Sequence, residues 1–157
     1  MPTGFLLTDE ARTLTVQNDS TTTAIEAGDI VYSIANDDKF GTTTTEASIR
    51  SSYSAGDVKV KAAKWSNTAY KTILGVAVTD IPAGGKGTIA LEGLFFHQVQ
   101  ENVEAGQALQ FYEGTANKLQ VNDAGTTAGY SESHTKIGRA LTGGSADNQY
   151  ILWKLTL

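Results

Sequence analysis

Cysteine is absent from this sequence, and histidine and proline each occur only twice among its 157 residues. Without cysteine the chain has no disulfide framework and no thiol nucleophile, which suits a protein made in a reducing cytoplasm. The two histidines, His97 and His134, have no second ligand at a spacing that metal sites use. We therefore predict packing or solvated roles for both, and no bound metal or cofactor.

Catalytic motifs are also missing. No serine lies in a Gly-x-Ser-x-Gly elbow, so the sequence does not support a hydrolase triad. Residues 84–88 (Gly-Gly-Lys-Gly-Thr) lack the full spacing of a phosphate-binding loop and a following helix. We interpret them as a hairpin turn, and we predict that the protein is not an enzyme.

One acidic segment leaves a question about metal binding open. Asn36, Asp37 and Asp38, with Glu46 nearby, supply oxygen atoms of the kind that Ca²⁺ takes as ligands. Their spacing is not that of an EF-hand loop, and such residues in loops are usually solvated turn formers. We expect no metal here, but the sequence leaves binding at Asp37 and Asp38 open.

Charged residues are few, at 18% of the chain, and the net charge is -5. A surface that binds phosphates needs clustered Lys and Arg. The one dense basic cluster is Lys59, Lys61 and Lys64, whose spacing is typical of a solvated strand face. No apolar run approaches the roughly 20 residues of a membrane span, and the chain start has no basic region of a secretion signal. We expect neither nucleic acid nor a membrane as a partner.

Threonine and glycine are abundant, with 21 and 16 residues, and 40% of the chain is hydrophobic. Threonine fits a pleated, half-buried surface, and glycine serves tight turns. We predict an all-β fold, a small β-barrel or sandwich of short antiparallel strands, without any helix of three turns. The predicted strands cover residues 29–34, 57–62, 72–79, 88–98, 108–112, 118–121, 136–141 and 150–157.

The predicted β-barrel domain covers residues 24–157 and follows an extended N-terminal arm over residues 1–23. Within the arm, residues 13–17 alternate and form a possible strand. Residues 35–54 are rich in Asn, Asp, Ser and Thr, which predicts a polar loop insertion. Burying so few apolar side chains does not compensate for the entropy that the backbone loses on ordering. We therefore expect this insertion to become ordered only when it binds a partner.

Two short patterns recur along the chain. An Ala-Gly pair followed by Asp or Gln precedes a predicted strand at residues 27–29, 55–57 and 105–107. Residues 74–79 (Leu-Gly-Val-Ala-Val-Thr) are echoed by residues 137–142 (Ile-Gly-Arg-Ala-Leu-Thr). Glycine permits positive φ in the turns, and the Asp carboxylate, as at Asp29, can accept hydrogen bonds from the N–H groups of its own turn. Small residues in the second pattern let another backbone or a bulky side chain approach closely.

The order of these patterns resembles that of the small β-barrel cement proteins on the heads of tailed bacteriophages. The resemblance runs through residues 75–81, 91–93 and 137–141, and it covers residues 24–32 and 55–157. It implies a capsid decoration protein on the exterior of the virion, present in the host cytoplasm during assembly. It also implies a homotrimer that binds the major capsid protein and holds neighbouring capsid subunits together.

Two apolar clusters are candidate contact surfaces. Phe5, Leu6 and Leu7 lie in an otherwise polar N-terminal segment, and the resemblance favours their docking on the capsid. Phe95 and Phe96 are adjacent on a predicted strand and must point to opposite faces of the sheet. We predict a subunit interface at this pair, because aromatic residues are enriched at such interfaces.

A second hypothesis is a ligand- or receptor-binding β-module of a virion fibre or tail. In that case Trp65, Tyr70 and the polar loops would form a binding platform. An exposed aromatic row beside a groove would favour this module, whereas buried aromatic residues would favour the cement protein.

Overall fold

The computed structural model describes residues 12–33, 61–64, 73–112, 117–122, 136–145 and 147–157. These residues form ten β-strands and no helix, which confirms the predicted all-β class. The strands are β1 (Thr13–Asn18), β2 (Ile30–Ser33), β3 (Lys61–Lys64), β4 (Ile73–Ala77), β5 (Lys86–Ala90), β6 (Glu92–Val99), β7 (Ala108–Phe111), β8 (Lys118–Val121), β9 (Gly138–Ala140) and β10 (Tyr150–Thr156).

The first five strands close into a barrel with the neighbour order β1-β3-β2-β4-β5. β1 runs parallel to β3, and its antiparallel pairing with β5 closes the barrel. The other neighbouring strands are antiparallel. Apolar side chains that alternate with outward-facing residues fill the interior, as expected for a small barrel. The buried cluster consists of Val16, Ile25, Val31, Ala62, Ala77, Ile81 and Ile89.

The last five strands close into a second barrel with the order β10-β6-β8-β7-β9. β6 runs parallel to β8 and antiparallel to β10, and the other neighbours are antiparallel. This barrel has the larger side chains in its interior. Its buried apolar residues are Phe95, Val99, Val103, Leu109, Phe111, Leu119, Ile137, Ala140, Ile151, Trp153 and Leu155.

The two barrels have the same topology. In each, the first strand pairs with the third in parallel and with the fifth in antiparallel. The turn before the second strand is repeated as well, because Gly28 N–H donates to Ala77 O and Gly106 N–H donates to Ala140 O, both at 2.8 Å. The two glycines have positive φ angles of 90° and 92°. The recurring sequence patterns therefore mark a structural duplication.

The second recurring pattern places a glycine where the neighbouring strand leaves no room for a side chain. In β4, a Cβ atom on Gly75 would collide with the carbonyl oxygen of Ala90 in β5. In β9, a Cβ atom on Gly138 would collide with the carbonyl oxygen of Lys154 in β10. Glycine therefore allows the close approach of two strands at the same place in both barrels.

The barrels pack together through outward-facing residues of the first. Residues of β2, β4 and β5 belong to the same buried cluster as the core of the second barrel, and they are Ile30, Tyr32, Val76 and Ala90. β4 is apolar on both faces, since Ala77 fills the first barrel while Val76 contacts the second. The strand predicted over residues 72–79, where apolar residues occupy both faces, is thus a central strand of the structure.

Two features of the domain organisation differ from the sequence prediction. The sequence predicted one barrel after an arm over residues 1–23, but the structure has two barrels, and β1 lies within the predicted arm. β1 pairs with β5 along most of its length. Thr13 and Thr15 face the solvent while Val16 is buried in the barrel. Because its outward-facing residues are polar, this strand has the composition of an extended arm. The first barrel therefore begins before residue 24.

The long strand predicted over residues 88–98 is two strands in different barrels. β5 ends at Ala90, β6 begins at Glu92, and Leu91 lies between them. The sequence predicted a bulge or bend at Gly93 within one strand, because apolar residues continue on both sides of Leu91 and hide the end of β5. The strands predicted over residues 108–112 and 118–121 are confirmed as β7 and β8, which pair in antiparallel orientation.

Candidate functional site

β6 carries the two aromatic residues predicted at a subunit interface. Half-buried and buried residues alternate along this strand. Phe95 is fully buried in the second barrel, and Phe96 is half-buried on its outer surface. The opposite orientations predicted for the pair are confirmed, but the side chain of Phe95 points into its own barrel and is a core residue. The interface prediction therefore rests on Phe96 alone.

Phe96 belongs to an apolar outer surface formed by β6, β10 and the residue after β9. It lies opposite Leu152 of β10, and Leu141 N–H donates to Leu152 O at 2.8 Å from the other side. Leu141 and Tyr150 are 45% and 46% exposed. We call Leu94, Phe96, Leu141, Tyr150 and Leu152 the β6–β10 face. Leu94, Phe96 and Leu152 are half-buried, so the face is a partly exposed apolar surface, as contact sites often are.

On the inner side of the same strands, a buried polar chain connects the two barrels. The Trp153 indole Nε1–H donates to His97 Nδ1 at 2.9 Å. Because the indole nitrogen is only a donor, His97 accepts at Nδ1 and carries its proton on Nε2. That Nε2–H donates to Gly28 O at 2.8 Å, in the turn before β2 of the first barrel. Burial lowers the pKa of His97 to about 4, so the imidazole is neutral.

A second buried contact between the barrels centres on Asp29. Lys64 Nζ lies 3.0 Å from Asp29 Oδ2, and Asn117 Nδ2 donates to Asp29 Oδ1 at 2.6 Å. Asn117 Oδ1 accepts from Ile30 N–H at 2.9 Å. The Asp29 side chain is 2% exposed and that of Lys64 is 33% exposed. Asn117, which precedes β8, thus reaches from the second barrel into the first and satisfies a buried carboxylate.

Sequence reasoning predicted one part of this contact and missed the other. It predicted that Asp29 accepts hydrogen bonds from its own turn, and Glu26 N–H does donate to Asp29 Oδ2 at 2.8 Å. It missed Asn117, which is 88 positions from Asp29. Asn117 has a positive φ of 60°. Asparagine tolerates this backbone conformation better than most residues, so its presence in this turn is the local feature that marks the position.

The buried groups at this junction form no catalytic arrangement. Both ring nitrogens of His97 are hydrogen-bonded within the core, and Asp29 is paired with Lys64 and Asn117. Within the described ranges, no three His, Asp or Glu residues come together as metal ligands would. No helix in the same ranges is long and apolar enough to cross a membrane. The junction holds the two barrels in a fixed relation.

Several predictions concern residues that lie outside the described ranges. These residues are Phe5, Leu6, Leu7, Asp37, Asp38, Trp65, Tyr70, His134 and the 35–54 insertion. Capsid docking by the N-terminal cluster, metal binding at the acidic pair and an aromatic binding platform therefore stay predictions.

A comparison with protein families matches most of the chain. The family model described as phage cement protein matches residues 52–155. The chain belongs to this family. The matched region of this cement-family chain includes β3, β4 and β5 of the first barrel and nearly all of the second. No curated protein matches the sequence.

One solved structure aligns with nearly all of this cement-family chain. It is the head fiber gp8.5 N base of bacteriophage phi29, with 16% sequence identity and a TM-score of 0.45. The alignment covers 94% of this chain and 95% of the other. At this identity and TM-score, the similarity carries no argument about function.

The buried imidazole makes the stability of this cement-family protein depend on pH. The pKa of His97 is 6.5 in an ordinary environment and about 4 in the folded protein. Because the unfolded chain binds the proton more tightly, stability is lost as the pH falls from 6.5 towards 4. The expected loss is about 3 kcal/mol in the free energy of unfolding. Denaturant unfolding at pH 7 and at pH 4 measures it.

The second histidine of the chain provides the control. His97→Gln should reduce the difference in unfolding free energy between pH 7 and pH 4, because the buried titrating group is gone. His134→Gln removes the other imidazole and should leave that difference as it is in the wild type. An undiminished pH dependence in His97→Gln would contradict the role assigned to the buried ring.

Proposed function

We propose that this chain is a structural capsid decoration protein that binds the outer surface of an assembled phage head. There it stabilises contacts between major capsid protein subunits. The family match over residues 52–155 carries this proposal. The fixed junction between two barrels supports it, because a cement protein needs contact surfaces at a constant separation. We infer a non-enzymatic role, with the protein in the host cytoplasm during assembly and on the capsid exterior afterwards.

We further propose that the N-terminal segment attaches the protein to the capsid through Phe5, Leu6 and Leu7. Burying one such side chain contributes about 1.5–3 kcal/mol before the costs of ordering the segment. In a homotrimer, three copies of a modest contact would combine by avidity. Strong attachment therefore needs no single site of high affinity.

Removing residues 2–11 tests the role of this segment. The deletion ends before β1, because a deletion through residue 20 would remove a strand that closes the first barrel. We expect the truncated protein to keep its melting temperature, since both barrels are intact. It should lose most of its co-sedimentation with purified undecorated heads.

A full-length variant with Phe5, Leu6 and Leu7 replaced by serine separates the apolar contacts from the length of the segment. This variant should bind heads as weakly as the truncated protein. Decoration at wild-type levels by both proteins would show that the segment plays no part in attachment. Binding to host cells, with no binding to heads, would favour the receptor-binding module instead.

A further inference from the structure

The outer surfaces of the two barrels can be compared position by position, because their strands pair in equivalent registers. β6 and β10 correspond to β1 and β5. Gln98 lies opposite Tyr150 in the second barrel, and Gln17 lies opposite Lys86 in the first. Both glutamines also lie opposite a lysine of the parallel third strand. These registers determine which outward-facing residues are equivalent.

At equivalent outward positions, the two barrels carry side chains of different polarity. Phe96 and Leu152 lie opposite each other in the second barrel. Their equivalents, Thr15 and Thr88, lie opposite each other in the first. Since the same pairing forms with two threonines, closing the barrel does not require phenylalanine and leucine at these positions. The apolar residues of the β6–β10 face are therefore not explained by barrel closure.

A second pair of equivalent positions relates the polarity of an outward-facing residue to whether protein or water covers it. Val76 and Ala90 face out of the first barrel and are buried, because the second barrel covers them. Their equivalents in the second barrel are Arg139 and Lys154, which are exposed. At this pair of equivalent positions, the outward residues are apolar where protein covers them and charged where water does. By analogy with this pair, we expect protein to cover the apolar β6–β10 face.

We propose that the covering partner is a second copy of this chain, and that the β6–β10 faces of neighbouring copies pack against each other. The charges beside the face favour this partner. Glu92 lies on the β6 side, whereas Lys154 and Arg139 lie on the β10 and β9 side, at the same end of the strands. Among the described residues, none of these three forms an ion pair. Each copy thus offers both partners of a salt bridge at one end of an apolar face.

Rotational symmetry brings these charges together. When copies are related by a rotation axis parallel to the strands, the β6 side of one face meets the β10 side of the next. Each residue keeps the same position along the axis. Glu92, which is level with Thr156, then lies two residues along the strand from Lys154 of the neighbouring copy. The long side chains of Glu92 and Lys154 can span this displacement of about 7 Å. Phe96 and Leu152 of one copy lie level with Leu152 and Phe96 of the next. A three-fold axis satisfies this geometry, so the inference deepens the homotrimer of the proposed function by naming its surface. It does not depend on binding to heads.

Converting the face to the residues of its counterpart tests the proposal. The double variant Phe96→Thr, Leu152→Thr receives the side chains that the first barrel already has at Thr15 and Thr88. Its second barrel should therefore fold, which circular dichroism checks. Light scattering at tens of micromolar should give the mass of an oligomer for the wild type and of a monomer for the double variant.

Two further comparisons locate the contact. Leu152→Glu and Thr88→Glu place the same carboxylate at equivalent positions of the two barrels, and only Leu152→Glu should dissociate the oligomer. Glu92→Lys should weaken the oligomer by like-charge repulsion across the contact. Adding Lys154→Glu to that variant should restore it, because the exchange of charges recreates the pair between copies.

The results distinguish this inference from the proposed function. A monomeric wild type, or an oligomer that persists in the Phe96→Thr, Leu152→Thr protein, overturns the inference. A monomeric wild type whose head binding is lost in Leu152→Glu assigns the face to the capsid instead. A wild-type oligomer that dissociates in Leu152→Glu but never co-sediments with heads supports the inference and contradicts the cement function.

Discussion

Replacing Gly138 with alanine is expected to lower the free energy of unfolding by about 3 kcal/mol. A methyl group there would overlap the carbonyl group of Lys154 and press on the ring of Trp153. β9 and β10 would have to separate, which would weaken the pairing that helps to close the second barrel. For a chain of this size, the loss corresponds to a fall of about 6–12 °C in melting temperature. Thermal unfolding followed by circular dichroism measures it.

The duplicated fold supplies a repeat of this experiment and a control. Gly75→Ala should have a similar effect, because the new methyl group would overlap the Ala90 carbonyl group in the first barrel. Gly84→Ala introduces a methyl group with no atom within 4 Å, although φ is +67°. Backbone strain alone should make it cost about 1 kcal/mol. If Gly84→Ala lowered the melting temperature as much as Gly138→Ala, the close approach of strands would not be the cause.

Replacing Asp29 with alanine should lower the free energy of unfolding by about 3 kcal/mol, as expected when one partner of a buried ion pair is removed. Asn117 Nδ2 would lose its acceptor in the junction, and Glu26 N–H would lose its acceptor in the turn. Lys64 is 33% exposed and can regain water, which keeps the loss at the lower end of the usual range. The midpoint of urea unfolding measures the change.

An ion pair in the same chain whose carboxylate is exposed and whose lysine is buried is the control. Asp147 Oδ1 lies 2.8 Å from Lys118 Nζ, but the Asp147 side chain is 47% exposed. The hydrogen bond from Lys118 lowers the pKa of Asp147, so the carboxylate is charged near neutral pH. Asp147→Ala should move the urea midpoint less than Asp29→Ala, because the exposed Asp147 carboxylate carries little burial cost and Lys118 Nζ keeps its hydrogen bond to Gln100 Oε1 at 3.2 Å. Equal shifts in both alanine variants would mean that burial does not explain the strength of the Asp29 contact.

The position of Asp29 shows how the duplicated turn acquired a role at the junction. In the first barrel, Asp29 Oδ2 accepts from Glu26 N–H at 2.8 Å. In the second barrel, Gln107 Oε1 accepts from Glu104 N–H at 2.7 Å. A neutral amide therefore suffices to close this turn. The carboxylate occurs in the barrel where the side chain also meets Lys64 and the other barrel.

Local patterns made a substantial part of this structure predictable. Alternation along β6 predicted that Phe95 and Phe96 point in opposite directions, and the glycines before β2 and β7 predicted the turns there. These features depend on residues only one to four positions apart. The same patterns did not predict which of the two phenylalanines faces outward, because both are apolar. They also left β1 inside an arm, since exposed threonines suit a barrel strand and an extended segment equally well.

Composition and alternation by themselves determined that the part of the chain the structure describes forms short strands without helices, and where most of those strands lie. The tertiary structure alone decided that the strands close into two barrels and that the chain passes between them at Leu91. It also decided that Asn117 meets Asp29 and that Phe96, Leu152 and Leu141 form one outer row. Strand formation depends on neighbouring residues, whereas closure and the junction depend on groups up to 88 positions apart. Contacts at that separation leave no periodic pattern in a sequence, so only the folded chain reveals them.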